Sequence, residues 1–254
     1  MKLFFFFLKK NRLCYKKHIL SKSGRMTGIS IENSYKTARQ NMLLGQLIPN
    51  RIHDLRLLNA MGTVARERFL PDRLKSRAYA DETIYVDAQT LMFSPRILAN
   101  LLMAAELNKN DFVLDVKSGS GYSAAVMAAL AQAVVALESD SVLCETAQQI
   151  LIDAEIDNVA VLNRNPDEGF PSQAPFDVIF IEGIISHIPE NLLLQLSENG
   201  RLICIISQNS DDAAHITKVV KSAGALTYDT LSDLDLSCFP RSRLYKRFIF
   251  ETVS

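Results

Sequence analysis

Asp115, Gly119, Gly121 and Glu138 carry the most legible chemistry in this chain. In "VLDVKSGSGYSAAV", residues 113–126, an apolar run ends in an acid and gives way to glycines. Glycines lack Cβ atoms, so the backbone can come close to a ligand and turn the N–H groups of a following helix toward it. Glu138 closes the next apolar run, "AVVALES", where a carboxylate can accept both hydroxyls of a ribose. The pattern is that of a site for a nucleotide-bearing small molecule, at the point where a strand hands over to a helix.

The elements that must position these residues follow from periodicity. Strands and helices alternate through "DFVLDV", "YSAAVMAALAQ", "AVVALES", "SVLCETAQQILIDAE", "NVAVLN", "FDVIFIEG", "PENLLLQLS" and "GRLICIIS". "DAAHITKVVKSAG" reads as a further helix, and "ALTYDTL" and "KRFIFET" as late strands. Short, nearly continuous Val/Ile/Leu runs between helices predict an α/β fold with a doubly wound, mostly parallel sheet. Upstream, "SYKTARQNMLLGQLI" has helical spacing until Pro49-Asn50. In "IHDLRLLNAMGTV", Asp54 can cap a helix with an apolar face of Leu55, Leu58, Met61 and Val64. An extended piece, "DETIYVDAQTLMFSP", leads to a helix that opens at Ser94-Pro95. The expected organisation is a basic tail over 1–25, a helical N-terminal subdomain with a connecting β segment over 26–95, and the α/β domain over 96–254.

Bulk properties exclude several classes. The 254 residues are 48% hydrophobic and carry no apolar run near the ~20 residues of a membrane span, so no integral membrane segment is expected. Net charge is zero, yet residues 1–25 hold eight Lys and Arg and no acid, which leaves an acidic body and argues against nucleic-acid binding. The tail reads as disordered, or as translated from upstream of a start at Met26, with attraction to a membrane surface as an alternative. Its apolar core, Leu3 to Leu8, is short for a secretory signal. Cys14, Cys144, Cys204 and Cys238 are dispersed, which suits a reducing cytoplasm and predicts neither a disulfide framework nor a metal site.

Two cofactors fit the turn. Gly119, Gly121 and Ala124 satisfy G-x-G-x-x-A with an acid at the next strand end, the pattern of a dinucleotide site. Asp115, two residues before Lys117, instead suits the D-x-G-x-G-x-G turn of S-adenosylmethionine enzymes, with Lys117 in place of one glycine. If that position needs positive φ, the lysine costs about 1 kcal/mol.

The stretch 157–206, with "APFDVIFIEG", "IPENLLLQL" and "NGRL" in order, resembles protein-L-isoaspartate O-methyltransferases. So do "ARQNMLLGQL", "RERFLP", "AYADE" and "LDVKSGSGYSAAVMAALA" apart from its lysine, and the resemblance runs from about residue 38 to 250. It implies a class I S-adenosylmethionine-dependent methyltransferase fold, S-adenosyl-L-methionine as methyl donor, and carboxyl O-methylation of protein or peptide substrates with isoaspartyl residues. It also implies that the glycine turn with Asp115, Gly119 and Gly121 receives the methionine moiety and that Glu138 holds the ribose. Asn165 stands where the family has the Asp of a G-D-G loop facing adenine, and here that loop reads Arg164-Asn165-Pro166. The family's T-I-S-x-P segment reads "LMFSP", with Phe93 at the serine position. Ser94, one residue along, is the candidate catalytic hydroxyl, although the same position suits a helix cap.

Three departures at ligand-facing positions keep a second reading open, a noncatalytic descendant that uses the fold for binding or regulation. A nucleotide-dependent oxidoreductase is the third reading, without redox residues to accompany the turn. Glu182 lies near the expected substrate cleft and reads equally as a surface acid, and His187 reads as a helix-approach residue. Met42, Met61, Met92, Met103 and Met127 are expected in the core.

Overall fold

The structure, a computed structural model, describes residues 25–87, 90–207 and 214–234. The basic tail and the expected strand "KRFIFET" therefore lie outside the described residues. The first element is helix α1 (Arg25–Met42), which runs on through a π turn at Leu43–Leu47 and a 3-10 turn at Ile48–Asn50. Helix α2 (Leu55–Thr63) starts at the expected cap, where the Asp54 carboxylate accepts the Arg56 and Leu57 N–H groups at 2.8 and 3.4 Å. Its buried face differs from the expected one. Leu57, Ala60 and Met61 point inward, while Leu55, at the first helical position, is 78% exposed.

Two 3-10 turns, Arg66–Phe69 and Asp72–Arg77, lead to a short antiparallel pair, β1 (Ile84–Tyr85) and β2 (Leu91–Met92). Helix α3 (Pro95–Ala105) follows, with proline at its first position and Ser94 Oγ accepting the Ile97 N–H at 3.3 Å.

The sheet is built from β3 (Phe112–Val116), β4 (Ala133–Glu138), β5 (Val159–Asn163), β6 (Phe176–Ile185), β7 (Leu196–Ile206), β8 (Ala214–Ser222) and β9 (Ala225–Leu234). The interleaved helices are α4 (Tyr122–Ala128), α5 (Ser141–Asp153) and α6 (Glu190–Leu194). Strand order is β5-β4-β3-β6-β7-β8-β9, parallel from β5 to β7 and antiparallel beyond. Strands covered on both faces carry near-continuous apolar runs. Accordingly every residue of β4 is buried, Val113, Val178 and Phe180 pack on one face of the sheet, and Leu114, Ile179 and Ile181 pack on the other. No helix among the described residues is long and apolar enough to cross a membrane.

The helix expected in "DAAHITKVVKSAG" is instead strand β8, which pairs antiparallel with β7 and turns back into β9 through Ala223 (φ 50°) and Gly224 (φ 75°). Two successive positive-φ residues make the hairpin turn whose twist suits antiparallel strands. Isoleucine, threonine and valine in the segment then satisfy a pleated surface.

The chain winds outward from β3 through β4 to β5 and then crosses back to place β6 on the other side of β3. The crevice at the carboxyl ends of β3 and β6 is thus the topological switch point, where open α/β sheets hold ligands.

Candidate functional site

Strand β3 delivers Asp115 and Val116 to this crevice and breaks into the turn Lys117–Gly121. Lys117 (φ 62°), Gly119 (φ 53°) and Gly121 (φ 83°) all adopt the left-handed region, so the lysine holds the strained conformation that its replacement of a glycine predicts. The turn is anchored to its neighbour strand, since the Ser118 N–H donates to the Leu137 carbonyl at 3.0 Å and the Gly119 N–H to Glu138 Oε2 at 2.9 Å. A Cβ at Gly119 would meet Thr90 Cγ2 at 3.0 Å, so the segment leading into β2 lies directly against the turn.

Glu138 is buried, and its other oxygen accepts the Asp140 N–H at 3.0 Å. Burial pushes its carboxyl up from the ordinary range, against the opposing pull of those backbone hydrogen bonds. Lys117 is half-buried, and burial lowers its ammonium while the nearby charges of Asp167 and Glu138 raise it. The lysine therefore belongs to the rim between the end of β4 and the loop after β5.

In that loop Asn165 caps the 3-10 turn Pro166–Glu168, with its side-chain oxygen accepting the Asp167 N–H at 3.1 Å and its amide nitrogen 3.4 Å from Glu168 Oε1. The Arg164 guanidinium lies over the Phe170 ring, 4.6 Å from its centre. Asn165 is thus engaged within its own loop and holds that loop's shape.

A cleft opens between β2 and the turn, lined among others by Met92, Phe93, Ser118, Ser120, Ser123 and Glu182. Ser94 is not part of this lining. It caps α3 and is buried, while Phe93 presents its side chain in its place.

Two residues that the sequence did not single out, Ser123 and Arg66, complete the floor. Ser123 Oγ lies 3.3 Å from Asp115 Oδ2 and in hydrogen-bond contact with Glu182 Oε1. Arg66 is fully buried, donates to the Ala78 carbonyl at 2.7 Å and to the Phe93 carbonyl, and sits 4.7 Å from the centre of the Tyr122 ring. It joins the N-terminal helices to both walls of the cleft. Asp115 and Glu182 are both pushed well above the usual carboxylate range, chiefly by burial.

Of the residues expected at the site, Asp115, Gly119, Gly121 and Glu138 converge. Asn165 and Ser94 flank them in capping roles, and Glu182 is a buried cleft residue, so its surface alternative does not hold. His187 lies outside the cleft and contacts Ser186 Oγ at 3.0 Å. The signals for the missed residues were faint. Ser123 sits one position into α4, and Arg66 sits in a charged turn flanked by apolar residues.

A family model described as protein-L-isoaspartate(D-aspartate) O-methyltransferase matches residues 38–234. A curated protein-L-isoaspartate O-methyltransferase of Koribacter versatilis is 33% identical over 214 residues, covering 84% of this chain and 93% of that protein. Its counterpart from Brucella anthropi is 36% identical over 170 residues, 67% of this chain and 78% of that protein. A solved protein-L-isoaspartate O-methyltransferase superposes with a TM-score of 0.69 at 26% identity, covering 78% of this chain and 64% of the other. A Plasmodium falciparum structure described as a beta-aspartate methyltransferase in complex with S-adenosyl-L-homocysteine gives a TM-score of 0.65 at 24% identity, covering 79% and 95%.

Proposed function

The chain belongs to the protein-L-isoaspartate O-methyltransferase family, and from that premise we infer that it is an S-adenosyl-L-methionine-dependent carboxyl O-methyltransferase acting on isoaspartyl residues in proteins or peptides. The observation that carries the reading is the meeting, in one switch-point crevice, of the glycine turn, Glu138 and the 91–93 segment, all within the matched region.

The residues present fit the cofactor. Asp115 Oδ1 and Ser118 Oγ are buried side-chain atoms at the turn without a hydrogen-bond partner among the described residues, and Glu138 has acceptor capacity beyond the two backbone N–H groups it holds. Glu138 would take the ribose hydroxyls, the turn with Asp115 the amino-acid end, and the Asn165 loop the base. When bound, the cofactor supplies a methyl group on a sulfonium that is already reactive. What remains for the protein is to hold the acceptor carboxylate in line and to exclude water. Met92 and Phe93 give the cleft an apolar wall, and Arg66 fixes that wall through the Phe93 carbonyl. No side-chain nucleophile is required, so Phe93 in place of a hydroxyl residue does not remove the chemistry. The free, buried thiols of Cys144 and Cys204 suit a cytoplasmic setting.

Titration calorimetry with S-adenosylhomocysteine, followed by transfer of labelled methyl to an isoaspartyl peptide and its aspartyl counterpart, tests the reading. Binding together with labelling confined to the isoaspartyl peptide supports it. Absence of binding at millimolar ligand sinks it, and binding without labelling leaves a methyltransferase with another acceptor.

A further inference from the structure

The floor of the cleft consists of two buried carboxyl groups that share one hydroxyl. Ser123 Oγ is within hydrogen-bonding reach of both Asp115 Oδ2 and Glu182 Oε1. A serine hydroxyl carries a single hydrogen. It donates to one carboxyl group and has only lone pairs to offer the other, so hydrogen bonds to both require a proton on one of the two acids. Asp115 Oδ1, moreover, is buried with no hydrogen-bond partner among the described residues, so a full charge there would lack that compensation.

Among the described residues, three charged groups bear on this pair. From β4 comes the Glu138 carboxylate, which adds repulsion, and from the turn before it Lys117, whose charge lies toward Glu138 and Asp167. From the N-terminal side comes the Arg66 guanidinium, which attracts Glu182 while lying over Tyr122 of α4. Burial outweighs the attraction of Arg66, and both acids are held toward their neutral forms.

We propose that Glu182, acting with Asp115 and Ser123, is a charge-reading element of the cofactor pocket: the cluster keeps a proton while the pocket is empty and releases it when a cationic ligand binds. The proposal rests on the methyltransferase reading. S-adenosylmethionine carries two positive centres, the sulfonium and the α-ammonium, whereas S-adenosylhomocysteine, the product after methyl transfer, keeps only the ammonium. An ionised Glu182 stabilises the first more than the second, so the pocket distinguishes the loaded donor from the spent one. The released proton passes to solvent, and affinity for the donor rises with pH as the acids ionise more readily.

The test is titration calorimetry of the full chain with S-adenosylmethionine and with S-adenosylhomocysteine, each in phosphate and in Tris, two buffers of different ionisation enthalpy. The expected result is a buffer-dependent heat that reports proton release, larger for the methionine form. In the Glu182→Gln variant the release shrinks and the preference for S-adenosylmethionine over S-adenosylhomocysteine falls about tenfold, as expected when one charge interaction in a partly buried site is lost. Thermal unfolding establishes that the variant is folded. If it is not, the wild-type protein decides alone, because donor affinity that rises with pH more steeply than product affinity supports the proposal and parallel pH profiles overturn it. Equal heats in the two buffers with binding retained overturn the proposal and leave the methyltransferase reading standing. Failure of the wild type to bind either ligand overturns both.

Discussion

Glu138 Oε2 accepts the Gly119 N–H at 2.9 Å, so the carboxylate at the end of β4 braces the turn that leaves β3. One side chain thereby shapes the pocket and would also take the ribose. In Glu138→Gln, an amide group faces a backbone N–H on one side, and at most one of the two backbone donors keeps its acceptor. The expected outcome is a loss of about 1–2 kcal/mol in stability by urea unfolding and at least about a tenfold drop in S-adenosylhomocysteine affinity by calorimetry. Unchanged affinity would remove Glu138 from the binding machinery.

Lys117 (φ 62°) carries a strain of about 1–2 kcal/mol that glycine would not, offset by about 0.5–1 kcal/mol of additional chain entropy that glycine loses on folding. Lys117→Gly also removes a partly desolvated ammonium. A net stabilisation of about 0.5–1 kcal/mol is expected in urea unfolding. Tighter binding of S-adenosylhomocysteine by the same variant would show that the lysine side chain obstructs the pocket, and equal binding would show that it points away.

Arg66 donates to two backbone carbonyls, those of Ala78 and Phe93, from a site with no solvent contact. Arg66→Met keeps most of the stem and strands both acceptors. A destabilisation of about 3 kcal/mol is expected. Arg66→Lys should recover only part of it, because a point charge cannot reproduce the planar fork that spans the two carbonyls. Equilibrium unfolding of the two variants checks the order.

The pH dependence of the ligand-free protein follows from the direction in which its acids are shifted. Asp115, Glu138 and Glu182 are all raised, so the folded chain holds more protons than the unfolded one above about pH 4. Their contribution to stability is present in acid and is lost as pH climbs through the folded values. Asp54 and Glu82 are lowered by Arg56 and Arg77 and act in the opposite sense, with stability lost as pH falls, but they are exposed pairs of small effect. The thermal midpoint of the ligand-free protein should therefore fall between mildly acidic and mildly alkaline buffer, and Glu182→Gln should flatten that slope. A wild-type midpoint that rises over the same interval would contradict the buried-acid arrangement.

The parallel half of the sheet was legible because strands covered on both faces read as near-continuous apolar runs, as residues 112–114 of β3, 133–137 of β4 and 178–181 of β6 do. β8 was not, because Ile216, Val219 and Val220 recur at spacings that a helix also satisfies. Pairing to β7 and the Ala223-Gly224 turn, which are tertiary facts, decided between the two. At the site, Asp115, Gly119, Gly121 and Glu138 were legible from one local pattern. Arg66, Ser123 and Glu182 come from three distant segments, and their relation exists only once β6 crosses back beside β3. Ser94 showed both of its readings in sequence, and the Ile97 N–H shows that it serves as a cap.

The nearness of Thr90 limits what position 119 of the turn can hold, since a Cβ there would lie 3.0 Å from Thr90 Cγ2. At position 117 the same left-handed conformation carries a lysine, whose ammonium feels the charges of Asp167 and Glu138 along the rim. At position 119, which shares the same handedness, even a methyl group would press on the Thr90 side chain. The two left-handed positions therefore differ in what they can carry, and an alanine at 119 is accommodated only as far as the Thr90 side chain moves aside.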